Sequence, residues 1–452
     1  MRMENSEVKI PKRILNNLLS ALSAGVVPRM GAPYIAIGRT QEIASLLETM
    51  DHIADGGAAV RFLIGRYGSG KSFLIQLLRG YAIERGFLCA DADLSTDQRR
   101  LCGANGAGLA TYRELLKNLS SKASPDGGAL SVVLSRHYAS LLARLAEENI
   151  FPEHELFRQS IRKLILSDLS ALEGGVGGFD FARVLSEYFF ACADENEDKK
   201  SACQRWLRGE FSSKTEARGV LGFSVSTVID DENWYDFIKL WSSFARKIGY
   251  AGLIVFIDEC IILYKIVNRV SRETNYEKIL TIFNDTLQGR AEGLGVIFGG
   301  TPQFLEDTRR GLFSYEALRS RLTDSRFAAL GFQTFSSPVI RLRKLSDNEL
   351  FALLSRLGKL HAAQSGTPVR LSDEKNQAFL ENCMKRAGAE EMMTPREIIR
   401  DYLTMLNILR DNPRASFESL LSATTAPLKE ESMQPSVNEE KKKGITLSDI
   451  DI

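Results

Sequence analysis

The chain has 452 residues, of which 44% are hydrophobic and 25% charged, and its 58 basic and 57 acidic side chains leave a net charge of +1. This composition is typical of soluble globular proteins, and the near-zero charge argues against bulk attraction to nucleic acid or to a membrane surface. At roughly 150 residues per domain, the length favours about three modules.

The sequence shows no candidate membrane span, signal peptide or zinc site. Its longest strongly apolar run, 253–257, is far shorter than the ~20 residues that a membrane helix needs. Residues 1–12 mix charges and lack the apolar core of a signal peptide. The six cysteines form no C-x2-C pair, which argues against zinc and against a disulfide framework. We therefore expect a cytoplasmic protein with no membrane partner.

The first elements in chain order are helices. Apolar residues recur at helical spacing over 14–22, where Gly25 suits the end of a helix, and again over 43–50. The loop between them contains Pro28 and Gly31, both typical of turns. The sequence therefore predicts two amphipathic helices before the first strand.

A strand, a helix and a second strand follow. Residues 60–64 and 87–92 are short apolar runs of strand type, and 73–81 repeat at helical spacing between them. Such a βαβ unit takes roughly 30 residues. The mostly helical stretch 96–249 is therefore predicted to be an inserted module.

Three further strands are predicted at 253–257, 296–298 and 339–342. Strands that alternate with helices imply a mostly parallel sheet covered by helices, so the predicted fold class is α/β. The predicted parts are 1–33, an N-terminal helix and linker; 34–95 with 250–343, the α/β core; 96–249, the helical insertion; 344–412, an all-α domain; and 413–452, a flexible tail.

The composition of 424–443 favours a solvated linker, because Ser, Thr, Pro, Glu and Lys dominate it. Beyond it, in 445–452, apolar residues stand among acidic ones. This tip is interpreted either as a frayed end or as a segment that docks on a partner.

Residues 65–72, Gly-Arg-Tyr-Gly-Ser-Gly-Lys-Ser, match the phosphate-binding P-loop pattern between a predicted strand and a predicted helix. Glycines let backbone N–H groups point at phosphates, and the next helix offers its positive end. Lys71 is predicted to contact the β and γ phosphates, and Ser72 to hold Mg2+. The predicted nucleotide-binding residues of this segment are Gly65, Arg66, Tyr67, Gly68, Ser69, Gly70, Lys71, Ser72 and Phe73.

Two adjacent carboxylates, Asp258 and Glu259, end the third predicted strand, at the sheet edge where ligands sit. Asp258 is predicted to organise Mg2+ and Glu259 to polarise the attacking water as general base. A guanine-selective N/T-K-x-D pattern is absent from the sequence, which favours ATP. The fourth strand runs into Thr301, either a polar side chain beside the reacting phosphate or a turn residue.

Together these motifs resemble an AAA+ ATPase over roughly residues 30–95 and 250–410. In chain order they are the P-loop, Asp258-Glu259, Thr301, Leu318-Arg319-Ser320-Arg321, and Thr394-Pro395-Arg396 at the start of a helix in an all-α lid. The resemblance implies that Thr301 is sensor 1, that Arg396 is the sensor 2 arginine, and that Arg321 is a finger in a neighbour's site, with Arg319 in reserve. It also implies a homo-oligomer. The alternative for these arginines is an ordinary solvated surface charge.

Gly38-Arg39 followed by Glu42 resembles the segment that lines the adenine pocket in the origin-recognition and STAND-like branch of this family. More narrowly, 64–72, the strand end at 92–95, the long helical insertion and the closing segment 447–452 look like the BrxD-type ATP-binding proteins of bacterial phage-exclusion (BREX) islands. That similarity implies a role in anti-phage defence beside a large helicase encoded in the same island.

Two other functions stay open on the sequence alone. One is a DNA-associated adaptor that binds DNA or a helicase through basic residues of the insertion, and the other is an ATP-dependent scaffold with little hydrolysis. The candidate DNA-binding residues are Arg158, Arg162, Lys163, Lys199, Lys200, Arg205 and Arg208. Acidic residues stand among them, so an ordinary solvated face is the simpler interpretation.

Overall fold

The computed structural model describes residues 10–103, 105–324, 336–368, 371–385 and 394–423. Five parallel strands form one sheet in the order β2-β3-β4-β1-β5. The strands are β1 Ala59–Gly65, β2 Leu88–Asp93, β3 Leu253–Asp258, β4 Leu294–Gly300 and β5 Val339–Leu342. All five are where the sequence predicts strands, and the predicted α/β fold is confirmed.

Helices fill most of the remaining described chain. They are α1 Lys12–Ser23, α2 Thr40–Ala54, α3 Lys71–Glu84, α4 Ala107–Lys117, α5 Leu130–Glu147, α6 Phe157–Leu169, α7 Gly178–Ala193, α8 Glu197–Leu207, α9 Lys214–Leu221, α10 Trp234–Lys247, α11 Ile261–Lys265, α12 Arg269–Leu287, α13 Pro302–Glu306, α14 Glu316–Leu322, α15 Asp347–Ser365, α16 Asp373–Lys385, α17 Pro395–Asp411 and α18 Phe417–Ala423. None of these described helices is long and apolar enough to cross a bilayer.

The sheet is buried on both faces. Along β1, Phe62 and Ile64 join one apolar cluster, whereas Leu63 joins another on the opposite side. Residues of α2 and α3 cover the second face, and residues of α10 and α12 cover the first. Burial on both faces explains why β3 reads as an unbroken apolar run and not as an alternating one.

The insertion, helices α4 to α10, shares the core of the sheet. Tyr112 and Trp241 belong to the same buried cluster as Val255 of β3. The buried Arg79 of α3 also reaches across, because its Nε donates to Asp91 at 3.0 Å and its guanidinium donates to the carbonyl of Pro125 in the inserted stretch. The inserted stretch is thus joined by hydrogen bonds to α3, the helix that follows β1.

A second core lies in the C-terminal helices. Leu354 of α15 and Tyr402 of α17 are buried there together with Leu18 of α1. The N-terminal helix, predicted as a separate part with a linker, therefore packs into the all-α domain.

The predicted tail boundary at 413 needs correction. Helix α18 lies beyond it, and Phe417 is only 5% exposed because it packs into the core of the C-terminal helices. Residues 424–452, which hold the predicted linker and acidic tip, are outside the described residues.

Candidate functional site

The P-loop joins the carboxyl end of β1 to the start of α3. Gly68 and Gly70 have φ angles of +76° and +87°, which residues with side chains rarely adopt. A Cβ on Gly65 would collide with Oγ of Ser69. These three glycines permit the tight turn that places Lys71 and Ser72 at the first turn of α3.

A hydroxyl and a carboxylate lie side by side at this edge of the sheet. Ser72 Oγ donates to Asp258 Oδ2 at 2.7 Å, and the backbone N–H of Glu259 donates to Oδ1 of the same carboxylate at 2.8 Å. Mg2+ takes oxygen ligands, commonly one or two protein groups beside substrate phosphates. Ser72 and Asp258 therefore fit the Mg2+ site that the sequence predicts.

Glu259 has an unusual backbone conformation. Its φ of +56° lies in the left-handed region, although it is neither glycine nor part of a regular turn between strands. Such a conformation costs of order 1 kcal/mol and is found disproportionately at functional sites. The residue also lines the cavity in front of the P-loop, where the predicted general base would have to lie.

That cavity lies between the sheet edge and the C-terminal helices. Its polar end has the P-loop residues Tyr67 to Ser72 together with Phe73, Glu259 and Arg396. Its apolar residues include Val26, Val27, Pro28, Ile37, Leu345, Leu353 and Ile399. No carboxylate in the described part of the chain pairs with Lys71, so its amine is available to an anionic ligand. A lining that offers both polar and apolar side chains suits the phosphates and the base of a nucleotide.

The segment predicted to line the adenine pocket lies at the cavity, which Ile37 and Arg39 line. Arg39 is only 7% exposed, and it donates to Glu42 at 3.1 Å, to the carbonyl of Ser69 at 2.9 Å, and to the carbonyl of Arg343. It lines the cavity, but its donors brace the P-loop backbone. Gly38 is absent from the residues that line the cavity, and a Cβ on it would collide with Glu349 at the start of α15.

The start of α17 touches the P-loop. A Cβ on Gly68 would lie 2.5 Å from Cγ2 of Thr394, which caps α17 through reciprocal hydrogen bonds with Glu397. Arg396, the second residue of the helix, lines the cavity and has no hydrogen-bond or ion-pair partner among the described residues. The predicted sensor 2 position thus lies beside the P-loop, which the sequence alone did not show.

Three other predicted residues lie away from the cavity lining. Thr301 follows β4 directly, and its hydroxyl accepts from the N–H of Phe304 at 3.3 Å as the cap of α13. Arg319 and Arg321 are exposed on α14, where Arg321 Nη1 donates to the carbonyl of Ala317 at 2.7 Å. A finger role for either arginine would therefore have to be exercised outside its own cavity.

The sequence analysis missed a third carboxylate at the site. Asp93 ends β2 directly opposite Asp258 in the strand register. Burial, and then the charges of Asp258, Glu259 and Asp91, raise the pKa of Asp93 to about 6, against the smaller lowering effect of Arg99. The sequence shows that an aspartate ends the second strand. It does not show that this strand lies next to the strand that ends in Asp258.

We expect Asp93→Asn to stabilise the protein in the absence of nucleotide and Mg2+. Since the pKa of Asp93 is raised from 3.8 to about 6 on folding, unfolding releases a proton between these values, and stability falls as pH rises through them. The side chain is exposed, so after screening we expect no more than ~1 kcal/mol, which corresponds to about 1 °C in Tm for a chain of this length. Thermal unfolding at pH 5 and pH 8 measures this. An equal Tm difference at both pH values would contradict it.

The basic residues of the insertion are mostly neutralised. Five of the seven candidate DNA-binding residues pair with carboxylates at 2.5 to 3.4 Å: Arg158 with Asp194, Lys199 with Glu187, Lys200 with Glu197, and Arg205 and Arg208 with Glu210. Arg162 lies over the ring of Phe190. This pairing favours an ordinary solvated face over a DNA-binding surface.

Comparison with known proteins shows the family of the chain. A search of curated proteins found no match. The family model of the BREX system ATP-binding protein BrxC/D matches residues 10–425, which include the P-loop, Asp258, Glu259 and α17. The chain therefore belongs to the BrxC/BrxD family of ATP-binding proteins of the BREX defence system.

Proposed function

We propose that this protein hydrolyses ATP with Mg2+ as an AAA+ switch or motor that assembles with copies of itself. The observation that carries the proposal is the contact between Ser72, Asp258 and Glu259, because hydrolysis needs a metal site and a general base at the same phosphate. An adaptor that only binds nucleotide would not need a strained carboxylate next to the metal residues.

The side chains divide the work between binding and chemistry. Lys71 lies at the positive end of α3 and neutralises phosphate charge together with the P-loop N–H groups. Ser72 and Asp258 hold Mg2+, which would neutralise the phosphates and orient them for in-line attack. Glu259 lies in the cavity with its carboxylate exposed, so it can take the proton from the attacking water.

Closure of the C-terminal helices would complete the site. Arg396 lies at the cavity without a partner in the described chain, and its fixed charge suits a phosphate oxygen. The start of α17 is already in contact with Gly68, so a shift of the lid changes the P-loop directly. Nucleotide state is thereby coupled to the position of α17 and of the helix α1 packed on it.

We propose that the site is completed in trans by Arg321 of a neighbouring copy. Lys71→Ala and Arg321→Ala subunits should each be inactive, and an equal mixture should recover about a quarter of the wild-type rate, since that share of interfaces keeps both residues. Steady-state ATPase assays over a series of mixing ratios measure this. No recovery at any ratio would exclude Arg321, and Arg319→Ala in the same assay tests the reserve arginine.

The experiment that tests the proposed function as a whole is ATPase rate against protein concentration, with and without single-stranded and duplex DNA. A specific rate that rises with assembly supports the oligomeric ATPase, and stimulation by DNA supports coupling to DNA or to a helicase. Tight ATP binding and assembly with almost no turnover would overturn hydrolysis in favour of a scaffold.

A further inference from the structure

Two arginines without a carboxylate partner in the described chain, Arg272 of α12 and Arg310 in the turn after α13, meet at the end of α11. Arg272 is only 6% exposed, and its Nη1 donates to the carbonyl of Ile266 at 2.8 Å. Arg310 Nη2 donates to the same carbonyl at 3.2 Å. The Nε atom of each arginine is buried and has no partner. Neither guanidinium pairs with a carboxylate among the described residues, and that of Arg310 lies over the ring of Tyr264 at 5.3 Å.

Capping of α11 explains only part of this arrangement. A cation near the last carbonyls of a helix is favourable, but two like charges on one carbonyl repel each other and leave most of their N–H donors unused. The nearby Asp307 is already engaged, since Oδ1 accepts from the N–H groups of Arg309 and Arg310 at 2.8 and 2.9 Å and Oδ2 accepts from Tyr264 at 3.3 Å. The positive charge is left for an anion supplied from elsewhere.

The loop above these arginines is apolar and exposed. Val267 and Val270 are 88% and 71% exposed, and they flank the residues that begin α12. Between them, Arg269 is paired with Glu273 at 2.7 Å. We name Val267, Val270, Arg272 and Arg310 the junction surface. It combines two exposed apolar side chains with the partly exposed guanidinium of Arg310 and the buried positive charge of Arg272, which suits a ligand that carries both apolar and acidic groups.

We propose that the junction surface binds residues 445–452 of the same chain, Ile-Thr-Leu-Ser-Asp-Ile-Asp-Ile. Asp449 and Asp451 carry the charge opposite to that of the two guanidiniums, of which the partly exposed Arg310 is the one open to a carboxylate. The isoleucines that alternate with them would cover Val267 and Val270.

The chain between the two parts is long enough for this contact. Ala423 is the last described residue, and 21 residues separate it from Ile445. An extended chain of that length reaches about 70 Å. A tethered segment also has an effective concentration near the millimolar range, which favours its own chain over a separate copy at micromolar concentrations.

Docking at the junction surface would act on the catalytic edge through α11. That helix spans Ile261–Lys265, and its first turn is bonded to the strand end, since the N–H of Ile262 donates to the carbonyl of Glu259 at 3.0 Å. A ligand that fixes the far end of α11 therefore restrains the turn that holds Glu259. The contact itself requires neither ATP nor hydrolysis, so its test is independent of the proposed function.

The test is photo-crosslinking of the full chain, with a benzophenone amino acid in place of Ile450 and no nucleotide. We expect crosslinks to residues 264–272, mapped by mass spectrometry, with a yield that does not change on dilution. The yield should fall about tenfold in Asp449→Asn/Asp451→Asn and in Val267→Ser/Val270→Ser. Leu287→Ser, which changes an equally exposed apolar residue at the other end of α12, should leave the yield unchanged.

A second readout does not depend on the crosslinker. Amide exchange over 260–275 should be faster in Asp449→Asn/Asp451→Asn than in the unaltered chain. Crosslinks that map elsewhere, or that fall with dilution because they join two copies, would overturn the proposal. So would protection of the junction surface by a single-stranded oligonucleotide with no effect of the aspartate changes, since that result would make it a nucleic-acid site.

Discussion

Lys71→Ala is expected to weaken ATP binding by about a hundredfold or more, ~3 kcal/mol, because loss of a buried partner of a charged pair costs that much or more. Lys71 lies at the first turn of α3, unpaired in the described chain, and faces the cavity together with the P-loop. The glycine turn and the helix end remain in the variant, so residual binding should come from them. Titration with a fluorescent ATP analogue measures the affinity.

The control for this substitution is Lys122→Ala, which removes an exposed lysine in the inserted stretch, away from the cavity lining. It should bind ATP like the unaltered protein. Retention of full affinity by Lys71→Ala, with the control behaving as expected, would place the phosphates somewhere other than the P-loop cavity.

The sheet was predictable because its strands are apolar on both faces. The run 253–257 has no polar position, and it became β3 with all six of its residues buried. Burial on both faces also makes a parallel, helix-covered sheet the expected arrangement. The order of the strands was not predictable, since nothing local states that β2 lies next to β3, and for that reason Asp93 was missed.

Long-range contacts account for the rest of the unpredicted site. The motif predicts that Arg39 lies at the nucleotide pocket, and Arg39 lines the cavity, but its hydrogen-bond partners Ser69 and Arg343 are 30 and 304 residues away in sequence. The contact between Gly68 and Thr394 is equally remote. Local patterns identify the chemistry of a side chain. Whether that side chain is free to bind a ligand depends on neighbours that only the folded chain brings together.

The basic residues of the insertion illustrate the same limit. Counting charges along 158–208 predicts a surface of mixed sign, but it does not say which charges are paired. The structure pairs Arg205 and Arg208 with one glutamate, Glu210, and leaves Arg272 and Arg310, which no motif singled out, without a carboxylate in the described chain. Buried cationic charge without a carboxylate partner among the described residues is therefore found near the end of α11, where no charge count along the sequence predicts it.

Glu259→Gln is expected to bind ATP with an affinity within a few-fold of the unaltered protein and to lower turnover by about 10²–10⁴-fold, the usual contribution of a general base. The amide keeps the shape of the side chain, and the N–H bond to Asp258 belongs to the backbone, so the metal site is preserved. Single-turnover hydrolysis and a parallel binding titration separate the two effects.

Comparison of this variant with Lys71→Ala separates the two functions of the site, ATP binding and hydrolysis. A binding defect without Lys71 and a chemical defect without Glu259 are what a hydrolase requires, whereas a nucleotide-dependent scaffold would lose function only with Lys71. Glu292→Gln, which removes an exposed carboxylate paired with Arg246 away from the cavity lining, should leave turnover unchanged. Full turnover in Glu259→Gln would mean that another group takes the proton, and Asp93, in register beside Asp258, is the carboxylate that we would then substitute.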